Sequence, residues 1–418
     1  MILAKNRLQA AWKFHQNGDL DTAEAIYRTV IRDFPKSADA WTYFGMVLND
    51  QCRFEEALAA YDRALAQSPK NKSALTNSGL SLAMTGQHEQ ALRRHQQAIA
   101  IDPKFARGRT NLGIQLLRMG DTDAGWKAYA DRTQTAVFSP PNCKLPFWRG
   151  ENLKDSHLII HGEQGLGDEV QTFRYLQNAS KLAHKVTLSA DGKLLPLFRR
   201  SAHNVSFVDR GSSLPDADFQ VCAFDLPDHF GFGENTPYLT PDPASRSRWE
   251  SHFAAISSCK IGINWTGNNQ NPMNRLRSFP LATLLTSVHH EDLHLVSLQA
   301  THGLAEMTIL PEAANIEQVL LTDDGDARSI DEMASIIGCL DLVITCDSLC
   351  AHLAAALGVE TWLLLAKVPD WRWGLNGQQS PWYSSVKIYR QTRRGDWQDV
   401  CAELGKDLSV RCSFPTAS

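Results

Sequence analysis

Over the first third of the chain, apolar positions return at helical spacing, and the pattern itself repeats. Pro35, Pro69 and Pro103 stand 34 residues apart, as do Gly45, Gly79 and Gly113, and Ala23, Ala57 and Ala91. Tyr27, Tyr61, His95 and Tyr129 form a further column in the same phase. Between prolines, AWTYFGMVLND predicts one amphipathic helix. A turn follows around Gln51–Arg53, and FEEALAAYDRALAQS predicts a second helix that Pro69 ends. Small residues in the glycine and alanine columns allow close helix approach. Gly18, Gly86 and Gly120 supply helix-ending turns. The last repeat carries Gly125 in the alanine column, and the first has Ala11 in the glycine column, as capping units of a stack often differ from the rest.

The period changes further on. SPPNCKLPFWRGENLKDS, rich in proline and polar residues, reads as a linker. An apolar run, LIIH, then meets GEQGLGDEVQTFRYLQ, which predicts a buried strand, a glycine-rich turn and a helix starting near Asp168. Further strands are expected at Val186–Ala190, Val205–Val208 and Phe219–Phe224, with helices near Gly192–Arg200 and Ser245–Ile256. A second series opens with KIGINW at Lys260–Trp265. It continues with a strand at Leu293–Leu298, a helix at Ile330–Cys339, the strand LDLVIT, a helix from Ser348 to Leu357, the strand TWLLL and a C-terminal helix, WQDVCAELGKDL. The fold expected is α plus α/β: repeats over residues 1–136, a linker over 137–156, and two doubly wound lobes over 157–242 and 243–418.

The repeat columns resemble the tetratricopeptide family, in four units. That resemblance implies a solenoid whose concave groove takes a protein or peptide, or else packs against the rest of the chain. Asn77 and Asn111 share a repeat phase and read as exposed groove positions.

Composition narrows the function classes. Hydrophobic residues at 43% and charged residues at 21% indicate folded domains rather than disorder. A formal net charge of −4 argues against a broad nucleic-acid surface. No apolar stretch is long enough for a membrane span. The first residues lack a signal-peptide pattern, and nine scattered cysteines fit reduced thiols, so a cytoplasmic location is expected.

Three stretches could carry chemistry. In Gly162-Glu163-Gln164-Gly165-Leu166-Gly167-Asp168, the aspartate is either a helix N-cap, which contributes about 1 kcal/mol, or a general base. Local sequence favours the cap. In GINWTGNNQNPMNRLRSFPL, Arg275 and Arg277 sit in a polar loop after a strand and could pair with a diphosphate; a solvated basic loop is the plainer reading. In LDLVITCDSLCAHLAAALG, Asp347 and Ser348 fall where a strand meets a helix, with His352 one turn on. Helix amides and a hydroxyl there suit a phosphate or ribose, whereas the plainer reading is a cap and a core histidine.

Other clusters read as structural. Cys346, Cys350 and His352 lack a zinc spacing and read as buried thiols beside a polar site. Asp216-Ala217-Asp218 and Asp323-Asp324-Gly325-Asp326 read as solvated loops, and Trp371, Trp373, Trp382 and Tyr383 as packing or stacking aromatics.

The runs EQGLGDEVQTFRYL, GINWTGN, NRLRSFPL, SLQ, DEMASIIGCLDLVITCDSLCAHLAAALG, DWRWG and SPWYSSVKIYRQ resemble the bacterial tetratricopeptide-repeat glycosyltransferases. Those are similar in turn to the ADP-heptose:lipopolysaccharide heptosyltransferases. The resemblance implies a GT-B fold with an acceptor-side first lobe and a donor-side second lobe. It implies Asp168 as base, with Glu163, Gln164, Gly165 and Gly167 in the acceptor-side loop. On the donor side it implies Arg277, Asp347, Ser348 and His352, together with Trp265, Gly267, Ser278 and Gln299. The sequence departs from the family in having Asn274-Arg275 for an Asp-Arg pair, and serine at 348 for threonine. The implied activity is inverting transfer from a nucleotide sugar, without a metal or other cofactor. The implied acceptor is a protein held by the repeats, of flagellar or surface type. The rival expectations are a non-catalytic adaptor and a sugar-binding regulator.

Overall fold

A computed structural model of the chain describes residues 2–135, 143–269, 271–288, 290, 292–321 and 327–412. It divides into two compact units: Met1–Ser139 with Asp370–Leu375, and Pro140–Pro369 with Asn376–Ser418.

The first unit is a stack of antiparallel helix pairs: α1 (Ile2–Gln16) and α2 (Leu20–Asp33), α3 (Ala38–Asp50) and α4 (Phe54–Gln67), α5 (Lys72–Met84) and α6 (His88–Ile101), α7 (Ala106–Met119) and α8 (Thr122–Tyr129). Polar side chains start several of them: Asp19, Ser37, Asn71 and Asp121 each accept a first-turn backbone N–H. Tyr27, Tyr61, His95 and Tyr129 are all buried, and each large side chain so buried contributes on the order of 1.5–3 kcal/mol. In the two middle repeats the glycine column makes room for these rings. A Cβ on Gly45 would lie 2.4 Å from the Tyr61 ring, and one on Gly79 would lie 2.5 Å from His95.

Two expectations are corrected here. Asn77 and Asn111 are not exposed; they are 2% and 9% accessible. The Asn77 side-chain oxygen accepts from Arg107 at 3.1 Å, and Asn111 donates to Thr76 at 3.3 Å. Also, Asp370–Leu375, read as part of the second lobe, packs with the repeats. Trp371 stands 5.2 Å from Trp126 and 5.7 Å from Tyr129, ring centre to ring centre.

The second unit holds two parallel sheets. The first contains β1 (His157–His161), β2 (Lys185–Ala190), β3 (Ser206–Asp209) and β4 (Phe219–Cys222), in the order β3-β2-β1-β4. Helices α9 (Leu166–Phe173), α10 (Leu176–Leu182) and α11 (Leu195–Ser201) alternate with its strands. The second contains β5 (Cys259–Asn264), β6 (Leu293–Ser297), β7 (Glu317–Gln318), β8 (Leu342–Cys346), β9 (Thr361–Leu365) and β10 (Val386–Arg390), in the order β10-β9-β8-β5-β6-β7. Its helices are α12 (Pro243–Phe253), α13 (Leu281–Val288), α14 (Ile330–Ile337), α15 (Leu349–Ala356) and α16 (Gln398–Cys412).

Sheets covered on both faces take nearly unbroken apolar strands, and β8 and β9 are buried throughout. Ile261, Ile263, Leu342, Ile344, Trp362 and Leu364 share one core with Leu404 and Leu408 of α16. Among the described residues, no helix is long and apolar enough to cross a membrane.

Candidate functional site

In the second sheet the strand order reverses at β5. From there the chain runs to β6 and β7 on one side and to β8, β9 and β10 on the other. Loops diverge at such a point and leave a crevice beyond the strand ends. Asn264, the last residue of β5, organises it. Its side-chain oxygen accepts from Ser348 at 2.7 Å and Thr345 at 3.1 Å, and its amide donates to the Gln299 side-chain oxygen. That same Gln299 oxygen accepts the backbone N–H of Trp265 (3.1 Å) and Thr266 (3.2 Å). Ser348 sits at the N-cap of α15 but does not cap it, because its hydroxyl is turned to Asn264.

The loop after β5 folds on Asn274. Its oxygen accepts from Gly267 N at 3.1 Å and from Arg277 Nε at 3.2 Å; its amide donates to Thr266 Oγ1 at 3.0 Å. Ser278 bonds Thr266 and the Asn274 carbonyl. The Arg277 guanidinium lies against Gly267, where a Cβ would be 2.8 Å from Nη2. Arg277 is half-buried and makes no ion pair with a carboxylate among the described residues.

Two donor-side assignments change in this light. Trp265 is fully buried in the core beside Phe279, with its indole Nε1 lacking a hydrogen-bond partner among the described residues, so it offers no surface to a ligand. Gln299 is 3% accessible and spends its amide on loop backbone, so it shapes the crevice from behind.

At the first sheet, the turn after β1 carries the acceptor-side residues. Glu163 is buried and accepts the Phe224 N–H at 2.8 Å, tying the loops after β1 and β4 together. Gln164 has φ of +63°, a left-handed conformation that costs a non-glycine residue on the order of 1 kcal/mol. Arg210 donates to its carbonyl at 3.4 Å and pairs with the buried Glu169. Burial pulls the Arg210 guanidinium down from its ordinary range, while Glu163 and Asp168 oppose that shift. Asp168 is not the N-cap expected from the sequence: Gly165 holds that position, and Asp168, three residues on, caps α9 from within its first turn by accepting the Gly165 N–H at 2.8 Å.

The starts of α9 and α15 meet. A Cβ on Gly167 would stand 3.0 Å from His352 Cδ2 and 3.4 Å from Leu349 Cα, so a side chain there would press its neighbours back by a few tenths of an ångström. Gly167, Leu349 and His352 are thereby brought together from opposite lobes. His352 is buried, and its Nδ1 lies 3.0 Å from the Tyr383 hydroxyl. Tyr383 therefore belongs to the site's surroundings, which sequence reasoning registered only as one of several clustered aromatics.

The remaining clusters resolve locally. Cys346 and Cys350 are buried thiols, and burial pushes the former up to about 12. Asp218 accepts the His157 N–H at 2.8 Å and the Asp216 carbonyl takes the His157 ring at 2.7 Å, pinning the start of β1. Asp323, Asp324, Gly325 and Asp326 lie outside the described residues. In the repeats, a cavity of about 1530 Å³ opens beside α1 and α3, lined by residues including Trp12, Lys13, Phe34, Lys36 and Tyr43.

Among solved structures, MamA from Desulfovibrio magneticus RS-1 is 21% identical. The match covers 31% of this chain and 74% of that one, with a TM-score of 0.29. TTC0263, a thermophilic tetratricopeptide-repeat protein from Thermus thermophilus, is 15% identical, covering 32% and 75%, with a TM-score of 0.30. A curated relative, Protein FlbA of Caulobacter vibrioides (strain ATCC 19089 / CIP 103742 / CB 15), is 24% identical over 317 residues. That match takes in 69% of this chain and 53% of the relative, so the chain spans about half the length of the curated relative it matches. The family profile described as tetratricopeptide repeat matches residues 8–72 and 50–109. The N-terminal unit is thus built of tetratricopeptide repeats, an architecture for binding protein partners.

Proposed function

We propose that the α/β unit is a GT-B-type glycosyltransferase, inverting and independent of metal, that moves a sugar from a nucleotide-sugar donor to a protein acceptor recruited by the repeats. The observation that carries this reading is Arg277: a half-buried guanidinium without a carboxylate partner among the described residues, held by Asn274 at a strand-order reversal that also carries Asp347 and the start of α15. Such a cation, with helix amides nearby, suits a diphosphate.

In the reaction, the acceptor oxygen bonds to the anomeric carbon opposite the diphosphate. The bond from that carbon to the phosphate oxygen breaks, and the diphosphate leaves with the electron pair, stabilised by Arg277 and the α15 amides. Asp168 takes the acceptor proton. Asp347 accepts sugar or ribose hydroxyls, and His352 contributes to the donor side. The cavity by α1 and α3 is the candidate seat for the acceptor polypeptide, whose flagellar or surface character rests on the family resemblance alone.

A second reading has its own support. Because the Asp168 carboxylate already caps α9, the turn could be purely structural and the protein an adaptor or sugar-binding regulator. Thermal unfolding with ADP-, GDP-, UDP- and CMP-sugars tests the donor half, since a ligand bound only by the native state raises apparent stability. One donor is expected to raise the melting temperature of wild type, and Arg277→Ala to abolish that rise. No rise with any of them contradicts the donor reading.

A further inference from the structure

Cys259 opens β5 and Cys412 ends α16, so the first strand of the second sheet and the last helix on it each bring a thiol to the sheet's amino end. Arg411 holds them there. It donates from Nη1 to both sulfurs, at 3.2 Å for Cys259 and 3.9 Å for Cys412. Its Nη2 donates to the Asp341 carbonyl at 2.8 Å, and its Nε to the Glu360 carboxylate at 2.8 Å. The two thiols also hydrogen-bond to each other. Both are partly exposed and pack against the core that Leu404 and Leu408 enter. Cys346 and Cys350, by contrast, are 0% and 2% accessible, out of reach of a dissolved oxidant.

Two thiols held in contact need little chain movement to become a disulfide. Burial, with the Cys412 hydrogen bond, pushes the Cys259 thiol up to about 12 against the pull of the Arg411 cation. Cys259 therefore stays protonated at neutral pH, and a first attack on an oxidant falls to Cys412. A thiol so raised is also a poor leaving group, so a bond made to it resists reduction.

We infer that Cys259 and Cys412 form a redox-active dithiol, a modification site that a small dissolved disulfide converts to an intramolecular disulfide fastening the end of α16 to the start of β5. The Cys412 sulfur attacks one sulfur of a disulfide such as oxidised glutathione and expels one glutathione thiolate. The Cys259 sulfur then attacks the Cys412 sulfur of the mixed disulfide and expels the second. Two protein thiols are oxidised, and the dissolved disulfide is reduced to two thiols that take up the two protons. The new bond closes a long loop and so restricts the unfolded chain. It lies at the opposite end of β5 from Asn264, so it does not depend on the donor reading.

The test incubates the reduced full chain in buffers of increasing oxidised-to-reduced glutathione ratio. Remaining thiols are then blocked with N-ethylmaleimide, and the protein is digested without reductant for mass spectrometry. The expected result is one main cross-linked peptide pair, joining Cys259 to Cys412. The melting temperature should rise with it by about 5 °C or more, and dithiothreitol should reverse both. Cys412→Ser should abolish the cross-link and the rise, whereas Cys339→Ser should leave both intact. Folded protein that keeps Cys259 and Cys412 free at the most oxidising ratio overturns the inference. So does glutathione left on either cysteine without a cross-link, or a cross-link that leaves the melting temperature unchanged. Should Cys412→Ser not fold, the wild-type peptide map and its reversal by dithiothreitol still decide.

Discussion

Cys52 stands in the turn phase that Gly18, Gly86 and Gly120 occupy in the other repeats, and it takes the same left-handed backbone, with φ of +56°. A side chain there costs roughly 1–2 kcal/mol that glycine avoids, partly offset by glycine's greater freedom when unfolded. Cys52→Gly is therefore expected to stabilise the repeats by about 1 kcal/mol, read as a rise in melting temperature; a fall contradicts the assignment of strain. His95 occupies a tyrosine position with its Nδ1 3.1 Å from Thr76 Oγ1, and burial brings its pKa down to about 3. Because the unfolded chain binds that proton near pH 6.5 and the folded chain resists it, stability present above pH 6.5 is lost as pH falls toward 3. The loss grows by about 1.4 kcal/mol per pH unit. His95→Tyr should flatten that dependence in denaturant titrations between about pH 7 and 4, and an unaltered slope speaks against it. Single residues were also where the sequence said least. The positions of Ser348 and Gln299 were legible, but their partner Asn264 is 84 and 35 residues away, and only the fold joins them.

At the scale of elements, apolar runs bounded by turns located β1, β5, β8 and β9 and the helices between them, because buried parallel strands leave a strong signal. The strand β10 was missed, since VKIYR interleaves charged residues with apolar ones and follows an irregular aromatic segment. The helix α13 was missed behind Pro280, which masked its start. DWRWG carries the look of a lobe motif, yet Trp371 packs on Trp126 of the repeats, a long-range choice no local pattern encodes. Helices α9 and α15 divide the proposed labour: Asp168 lies on the first and Asp347 just before the second. Asp347→Ala is accordingly expected to weaken donor binding more than Asp168→Ala does. Calorimetric titration with the cognate nucleotide sugar would show it, and equal losses in two folded variants would contradict the assignment of lobes.

For the whole molecule, the proposed function divides the chain into a repeat unit that holds a polypeptide and an α/β unit that modifies it. The repeats were legible because a 34-residue period is written four times over. Two parallel sheets followed from alternating strands and helices. What each lobe binds was not legible from pattern, since Asp168 as cap and Asp168 as base share one local sequence. The claim that the second unit breaks a sugar–phosphate bond is the central one. Its most direct test is nucleotide release from ADP-, GDP-, UDP- and CMP-sugars, followed by phosphorus NMR in excess chelator with water or added protein as acceptor. Wild type should release the nucleotide from one donor, and Asp168→Asn, which keeps an oxygen for the Gly165 N–H, should be slower by about 10²–10⁴-fold. No release from any donor by folded protein, release only after a divalent metal is restored, or an Asp168→Asn rate equal to wild type would contradict the account.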